Sequence, residues 1–246
     1  MSKQNIYDNE IFFEQYKNIR KHEANANNLF EKPALFSLLP DLHGKTILDL
    51  GCGYGEHCMH YIKNGAEKVV GIDISEKMLE VARTEYAHPN ITYIHMPMED
   101  ILKIGGKYDI IVSSLAIHYV KDFKALVQNV YELLNDNGIF IFSQENPINT
   151  CFSTGNRWTK DEKGNKLYAN LSNYGIEGER KSTWFVDGVE KYHRTFSTII
   201  NTLTETGFSI VKMLEPLPTE EILKQYPEYK DLYHRPDFLL LKLKKN

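Results

Sequence analysis

Hydrophobic positions along the chain alternate between two periods. Short apolar runs at residues 46–50, 68–72, 91–95, 108–113 and 139–143 have the length and composition of strands. Between them the apolar spacing is helical. A helix over residues 56–63 stops at Asn64-Gly65. Ser75 caps a helix that reaches about Tyr86, with Met78, Leu79 and Ala82 on one face. Asp122 caps another that turns Phe123, Leu126, Val127, Val130 and Leu134 inward. Such alternation predicts parallel strands joined by right-handed crossovers, a doubly wound α/β sheet. The unbroken run Ile110-Ile111-Val112 fits a strand covered on both faces.

The two flanks read differently. Residues 1–40 carry two helical patterns, 10–20 and 28–39, the second ending at Pro40, and form a helical cap. Residues 145–194 lose the alternation and are rich in Asn, Gly, Lys and Tyr. Within them, 184–192 reads as a hairpin turning at Asp187-Gly188, and the whole segment 145–194 is expected to be an insertion beside the sheet that forms part of the acceptor pocket. A helix over 195–206, a strand over 208–214, a helix over 219–225 and a strand over 238–243 complete about seven strands, with the last running antiparallel. The 246 residues are expected to make one domain.

Composition narrows the partners. A net charge of −4 offers no global field for a phosphate backbone, so nucleic acid is not expected. No apolar run has the length of a membrane span, and the polar first nine residues show no signal peptide. The three cysteines, Cys52, Cys58 and Cys151, form no C-x-x-C pair, which suits a reducing, cytoplasmic setting. A homodimer stays open. The scattered histidines show no metal-ligand spacing.

The sharpest chemical signal is Asp49-Leu50-Gly51-Cys52-Gly53-Tyr54-Gly55, where the first strand meets the first helix of the alternation. Glycines there let backbone approach a ligand, beside oriented N–H groups of the helix N-terminus. A diphosphate fingerprint has the spacing G-x-G-x-x-G. Here the third glycine comes one place early, and Glu56 opens the helix with a charge that repels a diphosphate. Asp49 suits a cationic or amine-bearing ligand, directly or through water. Asp73, at the end of the second strand, can accept both hydroxyls of a ribose.

These two motifs resemble motifs I and II of the class I S-adenosylmethionine-dependent methyltransferases, over roughly residues 42–143. The resemblance implies a Rossmann-like fold and S-adenosylmethionine as cofactor. It implies that Asp49, Gly51, Cys52, Gly53 and Asp73 surround that cofactor, with Ile74 and Met78 against the adenine. Met98, through its backbone, and Glu99 follow in the adenine region, where Pro97 stands in place of the Asp of many relatives. Ser114 and Leu115 fall where the family lines the methionine end, and Tyr16 and Arg20, on one face of the N-terminal helix, where it closes over the cofactor carboxylate. The stretch from Tyr192 through Arg235-Pro236-Asp237-Phe238 resembles a bacterial group of small-molecule methyltransferases, whose acceptor does not follow.

An acceptor of small-molecule type, methylated on O or N, needs positioning groups and a base near the strand ends. His118 is the first candidate and His193 the second. Tyr119, Tyr174, Tyr192 and Arg194 are candidate acceptor contacts. The cluster Tyr192-His193-Arg194 suits an anionic acceptor, although strand alternation keeps all three from sharing one face. A packed or capping histidine is the alternative role for His118, and a solvated hairpin strand that for Tyr192, His193 and Arg194. A catalytically silent cofactor-binding module and an NAD-dependent oxidoreductase are the alternative functions.

Overall fold

The computed structural model describes the backbone of residues 5–21 and 24–246, and their side chains except for residues 19–21. The alternating region forms β1 (Thr46–Leu50), α3 (Glu56–Lys63), β2 (Lys68–Asp73), α4 (Glu76–Glu85), β3 (Ile91–His95), β4 (Tyr108–Ser113), α5 (Phe123–Leu133) and β5 (Leu134–Glu145). It follows α1 (Glu10–Lys21) and α2 (Lys32–Ser37). After it come α6 (Pro147–Thr150), β6 (Trp158–Lys160), β7 (Lys166–Ala169), β8 (Gly178–Trp184), β9 (Val186–His193), α7 (Phe196–Thr206), β10 (Phe208–Leu214), α8 (Glu220–Gln225) and β11 (Phe238–Lys245).

Seven strands make one sheet in the order β10-β11-β5-β4-β1-β2-β3. β1 to β5 pair in parallel; β11 alone is reversed, running antiparallel to both β5 and β10. The last strand therefore inserts between its two neighbours, and β10 takes the edge. Strand order reverses between β1 and β4, and a crevice opens outside their carboxyl ends.

Period-two alternation gives the sheet its two packed faces. Leu48, Leu50, Val70, Ile72 and Ile111 join Leu126, Val127 and Val130 of α5 and Leu203 of α7. Ile47, Val69, Ile110 and Val112 meet Phe30, Leu35, Cys58 and Tyr61 on the other side. Asp49 shares the parity of Ile47, so its carboxyl is carried to that second face, beside Cys58.

Three local expectations change. The second N-terminal helix is not uniform: residues Asn27–Glu31 form a π-helical turn that runs into α2. β5 begins at Leu134 and carries Asn137 at φ 61° within it. The hairpin β8–β9 turns at Phe185, with φ 61°, and Asp187-Gly188 lie inside β9, where Thr183 Oγ1 donates to Asp187 Oδ1 at 2.6 Å. A second small hairpin, β6–β7, precedes it. Both lie outside the main sheet.

Candidate active site

The crevice at the strand ends is a cavity of about 1120 Å³. Its floor at one end is the glycine loop. Gly51 has φ 73° and stands so close to the loop after β4 that a Cβ would lie 2.6 Å from that of Ala116. Any side chain there pushes the two loops apart. Gly53 has φ 52° and lines the cavity, and a Cβ there would meet no protein atom within 4 Å. The space in front of Gly53 is thus room for a ligand, which a side chain would invade.

Asp73 connects this loop to β2. Its Oδ2 accepts from the Gly53 N–H at 2.9 Å and its Oδ1 from the Ser75 N–H at 2.8 Å. A carboxylate has about four acceptor sites, so with backbone donors at Gly53, Ser75 and Ile74 it still has room for a ligand hydroxyl. Burial raises the Asp73 pKa, against these backbone donors. Ile74, Met78, Met98 and Glu99 also line the cavity.

Opposite, the loop after β4 contributes Ser114 and Leu115. Leu115 is held at φ 50°, costly for a residue with a Cβ, and its N–H donates to both the carbonyl and the hydroxyl oxygen of Ser143, at 3.1 and 2.9 Å. Behind that loop is the buried Glu31, which the π-helical turn delivers. Its Oε1 accepts from Ser114 Oγ at 2.9 Å and from Ser143 Oγ. Sequence reading missed Glu31, because the partners lie 83 and 112 residues away.

Two predicted cofactor residues stand behind the loop. Asp49 is 1% exposed, accepts from the Cys58 thiol at 3.4 Å, and has its pKa pushed up to about 7, chiefly by burial. Cys52 turns its sulfur toward Gly71, where a Cβ would meet it at 2.9 Å. Neither side chain lines the cavity. Tyr16 does, with its ring 5.3 Å from that of Tyr7, an aromatic the sequence reading did not single out. The side chain of Arg20 lies outside the described residues.

The far half of the cavity holds His118, Tyr119, Glu145, Trp184 and Tyr192. His118 is 3% exposed. Burial pushes its pKa down to about 4, although Glu145 pulls the other way, so the ring is neutral at pH 7. Its Nδ1 accepts the Glu145 N–H at 3.5 Å, which places the ring proton on Nε2. Nε2 makes no hydrogen bond among the described residues. The Tyr119 hydroxyl lies 3.5 Å from that of Tyr7. Glu145 pairs with Lys191 through Oε1. Burial favours its neutral form, but His118 and Lys191 outweigh that and hold its pKa below the ordinary value.

Three predicted acceptor-side residues lie elsewhere. His193 is fully buried with both ring nitrogens engaged, Nδ1 by Thr150 Oγ1 and Nε2 by the Tyr174 carbonyl, each at 2.8 Å. The Tyr174 hydroxyl accepts from the Phe196 N–H at 2.9 Å. Arg194 spends its guanidinium on the carbonyls of Val120 and Lys121 and stacks over Phe123, 5.0 Å from its centroid. The tripeptide that suggested an anion site is therefore divided: Tyr192 lines the cavity, while His193 and Arg194 are structural.

Comparison with known proteins agrees with this geometry. Residues 41–214 match a family model described as a methyltransferase domain. A Haemophilus influenzae protein of uncharacterised function is 40% identical over 250 residues, 99% of this chain and 98% of its own. The crystal structure of an S-adenosylmethionine-dependent methyltransferase from Mesorhizobium loti is 36% identical and superposes with a TM-score of 0.80, covering 91% of this chain and 99% of that one. A Listeria monocytogenes structure with the same, provisional, assignment is 42% identical, with a TM-score of 0.80 over 88% of this chain and 96% of its own. The chain belongs to the class I S-adenosylmethionine-dependent methyltransferases.

Proposed function

We propose that the protein transfers the methyl group of S-adenosylmethionine to an oxygen or nitrogen of a small molecule held in the far half of the cavity. The observation that carries this reading is the cavity's extent. At about 1120 Å³ it exceeds a typical single-ligand pocket of roughly 300–1,000 Å³ and runs from Gly53 and Asp73 to His118 and Tyr192. A silent cofactor-binding module has no need of the second compartment.

The residues present fit the cofactor. Asp73 offers a remaining acceptor position to a ribose hydroxyl, the open face of Gly53 admits close approach, and Ile74, Met78 and Met98 provide an apolar wall for an adenine. When bound, the sulfonium supplies an electrophilic methyl and its own leaving group. The chain's part is to orient the acceptor and to receive its proton. His118, neutral with its Nδ1 lone pair already engaged, serves as a donor through Nε2 that orients the acceptor. Glu145 is the carboxylate facing the same space, and its lowered pKa keeps it charged there.

Calorimetric titration with S-adenosylhomocysteine tests the cofactor half. Binding to the native protein is expected, with Asp73→Ala weakening it by about 1–3 kcal/mol, the size of lost charged hydrogen bonds. Equal affinity in both would show that the ribose lies elsewhere.

A further inference from the structure

We infer that the far half of the cavity is a cation site, so that the acceptor is a small molecule carrying an ammonium group. The inference rests on the methyltransferase reading only in taking this half as the acceptor's.

The first observation is the direction of the charges. Among the described residues that line the cavity, the carboxylates are Asp73, Glu99, Glu145, Glu179 and Glu190, and the one cation is Lys121. Two further lysines pair with these acids from outside the lining. Lys181 Nζ lies 3.4 Å from Glu179 Oε1 and 3.4 Å from Glu190 Oε1, on a side chain 62% exposed, where water screens its charge. Lys191 engages Oε1 of Glu145. The second oxygen, Oε2, makes no hydrogen bond among the described residues, on a side chain that faces the cavity. Arg194, the residue that would answer an anion, is committed to three backbone carbonyls. Among the described residues, Lys191 and Arg194 are committed to partners, so an anionic guest would meet the charge of an ionised carboxylate.

The second observation is the material of the walls. Tyr7, Tyr119, Trp184 and Tyr192 present aromatic surface to the same space. The Lys191 ammonium already sits 5.4 Å from the Trp184 ring centroid while bonded to Glu145. One ammonium is therefore held here between a carboxylate and an indole, the pairing that recognises organic cations.

The third is His118, more than nine-tenths buried and lining the cavity, whose Nε2–H has no hydrogen-bond partner among the described residues. It complements a lone pair on the guest. Together these features describe a guest with an ammonium toward Glu145 and the aromatic rings, and a hydroxyl, carbonyl or amine lone pair toward His118.

The test uses three compounds of one shape, titrated calorimetrically into the full-length protein saturated with S-adenosylhomocysteine: choline, neutral 3,3-dimethylbutan-1-ol and anionic 3,3-dimethylbutanoate. Choline is expected to bind at least about ten-fold more tightly than the alcohol, and the carboxylate more weakly than either. Glu145→Gln should reduce that preference to within about three-fold, with S-adenosylhomocysteine affinity unchanged. Should that variant fail to fold with Lys191 unpaired, the double variant Glu145→Gln/Lys191→Met removes both charges and carries the same expectation. Trp184→Ala should weaken choline and leave the preference against carboxylate. Equal binding of choline and the alcohol, preference for the carboxylate, absence of choline binding at millimolar concentration, or a preference that survives removal of Glu145 would each overturn the cation site. Failure of S-adenosylhomocysteine itself to bind would strike the methyltransferase reading instead.

Discussion

Asp49 and Asp73 lie near the carboxyl ends of neighbouring parallel strands and share a parity, since Asp49 pairs with Gly71, but Asp73 stands two residues further along and their roles differ. Asp73 reaches the cavity and is braced by two backbone N–H groups. Asp49 is turned beneath the glycine loop toward the Cys58 thiol, and burial pushes its pKa up to about 7 from an ordinary 3.8. The unfolded chain then ionises first as pH rises. The contribution of Asp49 to stability is whole below about pH 4, declines above it and is lost by about pH 7. Asp49→Asn should therefore gain stability relative to the native chain between pH 4.5 and pH 7.5, by on the order of 2–4 kcal/mol from the size of such a shift. Urea unfolding at the two pH values measures it; an unchanged difference would mean that the carboxyl is ionised throughout.

At the scale of elements, the β8–β9 hairpin is tied to the sheet by its last residues, not by its tip. Arg194 reaches the carbonyls of Val120 and Lys121, more than seventy residues away, just before α5 begins. His193 bridges Thr150 of α6 and the Tyr174 carbonyl. These bonds present Tyr192 and Trp184 to the cavity. Arg194→Met should cost stability, about 1.5–3 kcal/mol for a lost charge-assisted hydrogen bond, and leave cofactor affinity intact. Thermal unfolding together with S-adenosylhomocysteine titration separates the two; a stable variant with weakened binding would return Arg194 to the site. The π-helical turn has a comparable role on the other side, since it carries Glu31 to the serines that brace Leu115.

For the whole molecule, the reversal of strand order between β1 and β4 places the crevice, and the inserted hairpin with the N-terminal turn around Tyr7 enlarges it. A ligand that binds only the folded chain at a hundred times its Kd stabilises it by about 2.7 kcal/mol. S-adenosylhomocysteine should accordingly raise the melting temperature, and NADH at equal concentration should not, because Glu56 at the loop and the spacing of its glycines disfavour a diphosphate. A shift with NADH and none with the thioether would reverse the choice of cofactor.

The strands, their parallel pairing, the glycine loop and Asp73 were legible in the chain because each depends on neighbours within a turn or a strand length. Period and spacing report which residues share a face. They do not report which distant segment arrives over that face. That β11 slips between β5 and β10, that the hairpin turns at Phe185, that His193 and Arg194 are structural, and that Glu31, Tyr7, Glu145 and Lys191 gather around the site were all decided by contacts between remote parts of the chain. Local chemistry determined what this protein binds first; tertiary packing determined the surface against which its second ligand must fit.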